Sequence, residues 1–196
     1  MTSHDLTFVL GGARSGKSAF AERLAADSGR AVTYVATAAR VGDTEFDARI
    51  AHHRARRPAS WALVEAPEAL AEVLAALDDP RGCVLVDCLT LWLANLLCPP
   101  DGASVSDAAL EARVGALEAA LAASRARVIV VSNEIGLGVV PLGAETRRYV
   151  DVLGRLNQRI AALATRVTLV VAGLPVAVKG AGETASAAAT QAGPRC

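Results

Sequence analysis

Short apolar runs alternate along the chain with longer stretches in which apolar side chains recur at helical spacing. Residues 6–10 (LTFVL), 31–36 (AVTYVA), 83–86 (CVLV), 128–131 (VIVV) and 167–172 (VTLVVA) predict buried strands. Residues 18–26, 67–77, 107–124 and 144–164 predict helices, and Pro67 suits a first helical turn. Residues 89–97 are apolar enough to read as a buried helix. Residues 43–57 are polar, charged and compatible with a helix that Pro58 would end. Strands alternating with helices predict an α/β fold, a mostly parallel sheet with helices on both faces. No internal repeat and no domain boundary interrupts the pattern, so residues 1–179 are expected to form a single domain. Residues 180–196 (GAGETASAAATQAGPRC) offer little to bury and are expected to be a disordered tail.

Composition narrows the classes. A chain of 196 residues, 53% hydrophobic, is long enough to bury a sizeable core. Its 20 basic and 20 acidic residues cancel, so bulk charge points to neither a nucleic acid nor a membrane surface as partner. No apolar run reaches the ~18 residues that a membrane span needs, and the first residues lack a signal-peptide pattern. Cys83, Cys88, Cys98 and Cys196 form no CxxC pair and stand at no zinc-finger spacing to a histidine. Reduced thiols in a cytoplasmic protein are the expectation.

Two motifs carry chemistry. Residues 11–18 (GGARSGKS) satisfy G-x-x-x-x-G-K-S between a predicted strand and a predicted helix. Gly11, Gly12 and Gly16 let backbone approach a phosphate, and the amides along Ala13, Arg14 and Ser15 can point at the anion. Lys17 is placed for the β- and γ-phosphates and the Ser18 hydroxyl for Mg²⁺. The run VLVD then ends in Asp87, where a nucleotide-binding sheet puts the carboxylate that supports Mg²⁺; helix capping is the plainer use of such a residue. Together these predict a P-loop NTPase fold, RecA-like, that binds a nucleoside triphosphate.

Residues 51–61 (AHHRARRPASW) set two of the chain's three histidines, His52 and His53, against Arg54, Arg56 and Arg57. Adjacent side chains on a helix point about 100° apart, so the pair does not converge on one metal ion, and three arginines would repel it. A solvated basic face and an anion site both fit. In the second, guanidinium groups bind phosphate and keep a nearby imidazole neutral, with a lone pair able to attack phosphorus. Electrostatics alone does not choose between them.

Beyond single motifs, an ordered series of blocks resembles the bifunctional adenosylcobinamide kinase/adenosylcobinamide-phosphate guanylyltransferase family of cobalamin biosynthesis. The blocks are GGARSGKS, TYVATA, DARIAHHRARRPASW, LVDCLTLWLANLL, VVSNEIGLGVVP and GRLNQRIAALATRVTLVVAGLPVAVK, and they span residues 6–179. The resemblance implies two reactions. A γ-phosphate passes from ATP or GTP to the aminopropanol hydroxyl of adenosylcobinamide. A histidine then takes GMP from GTP, releasing pyrophosphate, and passes it to adenosylcobinamide-phosphate to give adenosylcobinamide-GDP. The nucleophile maps to His53, with His52 in reserve. Arg54, Ala55, Arg56 and Arg57 map to nucleotide contacts, as do Thr37, Ala38, Ala39, Glu65 and Asp87. Glu65 would otherwise read as a solvated carboxylate. Asn133 and Glu134, after the fourth predicted strand, are candidates for a substrate or Mg²⁺ role. The resemblance also implies a homotrimer. A simple P-loop small-molecule kinase, or a non-catalytic nucleotide switch, would need no paired histidines beside arginines. Removing residues 181–196 is expected to leave the melting temperature and both activities unchanged, which thermal unfolding and activity assays of the shortened chain check.

Overall fold

The computed structural model of the protein describes residues 4–39, 58–99, 102 and 104–180. The predicted helix over 43–57 and the segment 181–196 lie outside the described residues. A single sheet of seven strands organises the chain, in the order β3-β2-β4-β5-β1-β6-β7. Its strands are β1 (Asp5–Gly11), β2 (Ala31–Ala36), β3 (Ala62–Glu65), β4 (Gly82–Asp87), β5 (Arg127–Asn133), β6 (Arg166–Val171) and β7 (Leu174–Lys179). Every neighbouring pair is parallel except β6–β7.

Both faces of the central strands are buried, which explains why they read as unbroken apolar runs. In β1, Leu6 and Phe8 enter one core and Val9 the other; in β4, Val84 and Val86 face the first and Cys83 and Leu85 the second. Four helices cover the first face: α2 (Leu70–Ala76), α3 (Leu89–Leu97), α4 (Asp107–Ala123) and α5 (Ala144–Leu163). Helix α1 (Lys17–Ala26) covers the second with Phe20, Ala21, Leu24 and Ala25. The expected α/β sandwich is therefore present, with helices on both sides.

Three details differ from the sequence reading. β3 was not expected: its apolar run (Ala62 to Val64) is only three residues long, and Ala62, Leu63 and Glu65 are exposed at the sheet edge. β7 was not expected either. The chain reverses at Ala172 and Gly173, with φ of 51° and 81°, so residues 167–172 do not all belong to one strand. Positive φ at both central residues is the geometry of a tight hairpin turn, here without the usual Asn-Gly signal. Pro175 further masks β7, which tolerates a proline as an edge strand. Helix α2 starts at Leu70, not at residue 67. Side chains of α3 hold that approach out of the helix: Asn95 Nδ2 donates to the Pro67 carbonyl (2.9 Å) and Trp92 Nε1 to the Glu68 carbonyl (2.9 Å).

Arg159 of α5 ties that helix to α4. Its guanidinium donates to both oxygens of Glu118 at 2.7 and 2.5 Å and to Glu111 at 2.8 Å. These bonds hold the Glu118 carboxyl below its ordinary range. A carboxylate with a lowered folded-state pKa stabilises the fold above its unfolded pKa, and that contribution fades as pH falls through the folded value. Glu118→Gln is expected to lose about 1 kcal/mol at neutral pH, the scale of a partly exposed forked pair, and progressively less in acid. Urea unfolding of both proteins at neutral and acidic pH measures the difference.

Candidate functional site

The parallel pairings bring six strand ends to one edge. Gly11 of β1 is in register with Asn133 of β5 and Val170 of β6. Asp87 of β4 stands beside Val131 of β5 and Ala36 of β2, and Ala36 stands beside Glu65 of β3. In an open α/β sheet, the crevice beyond the carboxyl ends of the strands is where ligands bind.

The loop from Gly11 to α1 is tightly folded. A Cβ on Gly11 would meet Ser15 Oγ at 2.4 Å and the Val170 carbonyl at 2.7 Å, so no larger residue fits there. The Ser15 amide donates to the Gly12 carbonyl (3.2 Å). Arg14 has φ of 58° and Gly16 of 91°; Gly16 turns the chain into α1. Lys17 is buried and its Nζ reaches back to the Gly12 carbonyl at 3.2 Å. An ammonium folded over the loop, with the amides of a helix start beneath it, forms a cradle for a polyphosphate. Ser18 follows in the first turn of α1.

Part of this geometry depends on residues that motif reading passed over. Gly173, in the β6–β7 turn, donates its amide to the Ser15 carbonyl (2.8 Å), and its Cα would lie 3.2 Å from a Cβ at Gly16. Nothing local in the sequence marks it, since the turn was hidden at the end of an apolar run. Tyr34, buried in β2, donates its hydroxyl to Asp87 Oδ2 at 2.9 Å. A period of two along β2 puts Tyr34 on the same sheet face as Ala36, the only hint available beforehand.

The other predicted positions are distributed unevenly. Thr37 lies beside Asp87 but is fully buried; its hydroxyl donates to the Cys88 carbonyl (2.6 Å) and accepts from the Cys88 amide (2.9 Å). Its carbonyl takes a bond from Asn95 Nδ2 at 2.7 Å. In this conformation Thr37 fastens the ends of β2 and β4 together. Ala38 and Ala39 follow, half-buried, and Glu65 is exposed at the β3 end. His52, His53, Arg54, Ala55, Arg56 and Arg57 lie outside the described residues. Asn133 and Glu134 come directly against the loop: the Glu134 amide donates to the Gly11 carbonyl (3.1 Å). The Asn133 amide donates to Thr90 Oγ1 (2.8 Å), while Asn133 Oδ1 is buried with no hydrogen-bond partner.

Burial pushes the Cys88 thiol up to about 11, and the neighbouring Asp87 carboxylate adds to the shift, so this thiol stays protonated near neutrality. Among the described residues no group of three His, Cys, Asp or Glu side chains could hold a metal ion. Mg²⁺ in a nucleotide site needs less, because one or two protein oxygens and the substrate phosphates suffice. Ser18 and Asp87 are donors of that kind. No described helix is long and apolar enough to cross a membrane.

A strand, a glycine-rich loop, a helix start and a tucked lysine, with an acid at a nearby strand end, define a P-loop nucleotide-binding protein. The family described as cobinamide kinase / cobinamide phosphate guanyltransferase matches residues 7–178, and the chain belongs to that family. It is 55% identical over 172 residues to the bifunctional adenosylcobalamin biosynthesis protein CobP of Pseudomonas aeruginosa, covering 88% of this chain and 96% of that protein. It is 41% identical over 182 residues to the CobU protein of the same description from Escherichia coli K12, covering 89% and 99%. A solved Pyrococcus horikoshii OT3 structure, Project ID PH0250, shares the fold alone, with a TM-score of 0.55 at 9% identity over 93% of this chain and 90% of that one.

Lys17→Ala is expected to weaken triphosphate binding about tenfold to a hundredfold, from the ~1.5–3 kcal/mol carried by a hydrogen bond to a charged group. Gly11→Ala is expected to weaken it comparably by displacing Ser15. Titration with a fluorescent GTP analogue checks both, and near-normal affinity in Lys17→Ala rules out the phosphate-cradle assignment.

Proposed function

We propose that this chain catalyses both reactions named by its family, on the adenosylated substrates. The first moves the γ-phosphate of ATP or GTP to the aminopropanol hydroxyl of adenosylcobinamide. The second moves GMP from GTP to adenosylcobinamide-phosphate. The observation that carries this reading is the convergence of the phosphate loop, Asp87 and Glu65 on one sheet edge in a chain of this family.

In the kinase step, residues 11–18 bind the β- and γ-phosphates and Lys17 offsets the charge that spreads over the transferred group. Bound Mg²⁺, held by Ser18 and Asp87, would supply further charge neutralisation. Tyr34 orients the Asp87 carboxylate through its 2.9 Å hydrogen bond. Asn133, with an unsatisfied buried oxygen beside the loop, suits a polar group of the reacting substrates. In the second step an imidazole nitrogen of His53 attacks the α-phosphorus of GTP, a P–N bond forms, and the P–O bond to pyrophosphate breaks. A phosphate oxygen of adenosylcobinamide-phosphate then attacks the same phosphorus and the P–N bond breaks, regenerating His53. Arg54, Arg56 and Arg57 balance the charge of the α-phosphate and of the leaving pyrophosphate. Thr37, Ala38, Ala39, Ala55 and Glu65 complete the nucleotide surroundings.

The protein works in the cytoplasm, and as a homotrimer. Support for self-association is the bare apolar face of the edge hairpin: Val171, Leu174 and Val176 are each more than half exposed. Register pairs Val171 with Leu174 and Leu169 with Val176 on one side of the sheet. Exposed apolar edges of this kind invite contact with another chain.

Incubation with α-labelled GTP tests the mechanism. Label should remain on the denatured chain, survive base and leave in acid. His53→Asn should abolish labelling and adenosylcobinamide-GDP formation while retaining kinase activity, since γ-phosphoryl transfer is direct. His52→Asn should damage labelling less, and Arg54→Ala, Arg56→Ala and Arg57→Ala should each slow guanylylation by about 10²-fold where the contact strengthens in the transition state. Normal labelling in both histidine variants would leave the simple small-molecule kinase as the better account.

A further inference from the structure

We propose that the segment leaving β5 and the outer face of α5 form the binding site of the corrinoid acceptor, which both reactions must present to a nucleotide phosphate. This rests on the functional reading above and assigns a place to the substrate that reading requires.

Position is the first argument. β5 lies between β4, which carries Asp87, and β1, which carries the phosphate loop. Its continuation therefore leaves the sheet between the two elements that embrace a terminal phosphate. The Glu134 amide is bonded to Gly11, and Glu134 Oε1 accepts from the Gly136 amide at 2.7 Å, so the start of the segment is anchored to the loop. Transfer of a phosphoryl group requires the acceptor roughly in line with the leaving oxygen, on the side away from the loop. The crevice outside the strand ends supplies that side.

Chemistry is the second. Between this segment and α5 lies a cleft of about 450 Å³. Arg147 of α5 keeps it open at one end by donating to the carbonyls of Pro141 (3.0 Å) and Leu142. Its lining is mixed, about as polar as it is apolar; the apolar share is bare, with Val139 96% and Val140 72% exposed, and Leu137 beside them is 83% exposed. Gly154 leaves the α5 side flat, while Asp151, Arg155 and Gln158 give a polar rim. A corrinoid has broad apolar faces edged by carboxamides and carries its reactive hydroxyl on a short arm. A cleft that sets Val139, Val140 and Val150 beside Asp151, Arg155 and Gln158 matches both parts of it. A cleft of this volume takes the arm and the adjoining edge of the ring, leaving the remainder in solvent.

Gly154 makes the test clean. A Cβ there meets nothing within 4 Å, so Gly154→Leu starts its side chain in open space at the cleft lining, and in a helix interior it also removes the glycine penalty. Val140→Asp puts a charge on the apolar part of the lining at an exposed position. Three measurements are made on wild type and both variants: adenosylcobinamide binding by equilibrium dialysis, followed by its own visible absorbance; kinase KM for adenosylcobinamide and for ATP; and GMP labelling of the chain. Both variants should raise the acceptor Kd and KM by about tenfold or more, the scale of a badly fitted apolar group in a pocket. KM for ATP and GMP labelling should not change. Unchanged acceptor affinity in both variants overturns the proposal. So does a fall in sedimentation coefficient with acceptor binding intact, which would assign this face to a subunit contact. Failure of the wild-type chain to bind or phosphorylate adenosylcobinamide would instead overturn the functional reading itself.

Discussion

Parallel pairing between β1 and β5 runs from Asp5–Arg127 to Gly11–Asn133, and its final pair sets the first glycine of the phosphate loop against the strand that separates the loop from Asp87. Side chains of both strands alternate between two cores, so a slip of one residue would turn Phe8 and Val130 out of one and Val9 and Ile129 out of the other. The burial that fixes this register also fixes the position of the loop. The Glu134 amide bonding to Gly11 extends the same register beyond the strand and starts the apolar segment in the crevice.

Around that axis, side-chain hydrogen bonds lock the strand ends. The Thr37 hydroxyl both donates to and accepts from Cys88, and Asn95 bridges the carbonyls of Thr37 and Pro67. Tyr34 orients Asp87 from within the second core. The β6–β7 turn presses on the loop through Gly173 and Ser15. Buried hydrogen bonds of this type are costly to leave half-made, so they favour one arrangement of the edge. A site for phosphoryl transfer gains from such rigidity, because its catalysis is mostly positioning and charge.

The chain's charge balance fits this division of labour. Its net charge is zero, yet Arg54, Arg56 and Arg57 stand together beside the paired histidines. In the mechanism we propose, Lys17 and the amides of a helix start serve the kinase reaction, while a separate group of cations beside the candidate nucleophile serves the guanylyl transfer.

Local chemistry made some of this legible. The glycine spacing of residues 11–18, the apolar strand ending at Asp87 and the alternation of strands with helices are each imposed by short-range requirements. Backbone approach to phosphate, burial on two faces and helical periodicity write themselves into neighbouring residues. The sequence by itself therefore determined the P-loop class and the central parallel strands. Only the tertiary structure decided that β3 and β7 exist, that Gly173 braces the phosphate loop, that the Thr37 hydroxyl bonds to Cys88 and that Tyr34 bonds to Asp87. Those contacts join residues far apart in the chain, and the edge strands are hard to mark locally, ALVE being short and LPVAVK carrying a proline just past a turn hidden in an apolar run. Their partners are chosen by sheet order and register, which no short stretch of sequence encodes.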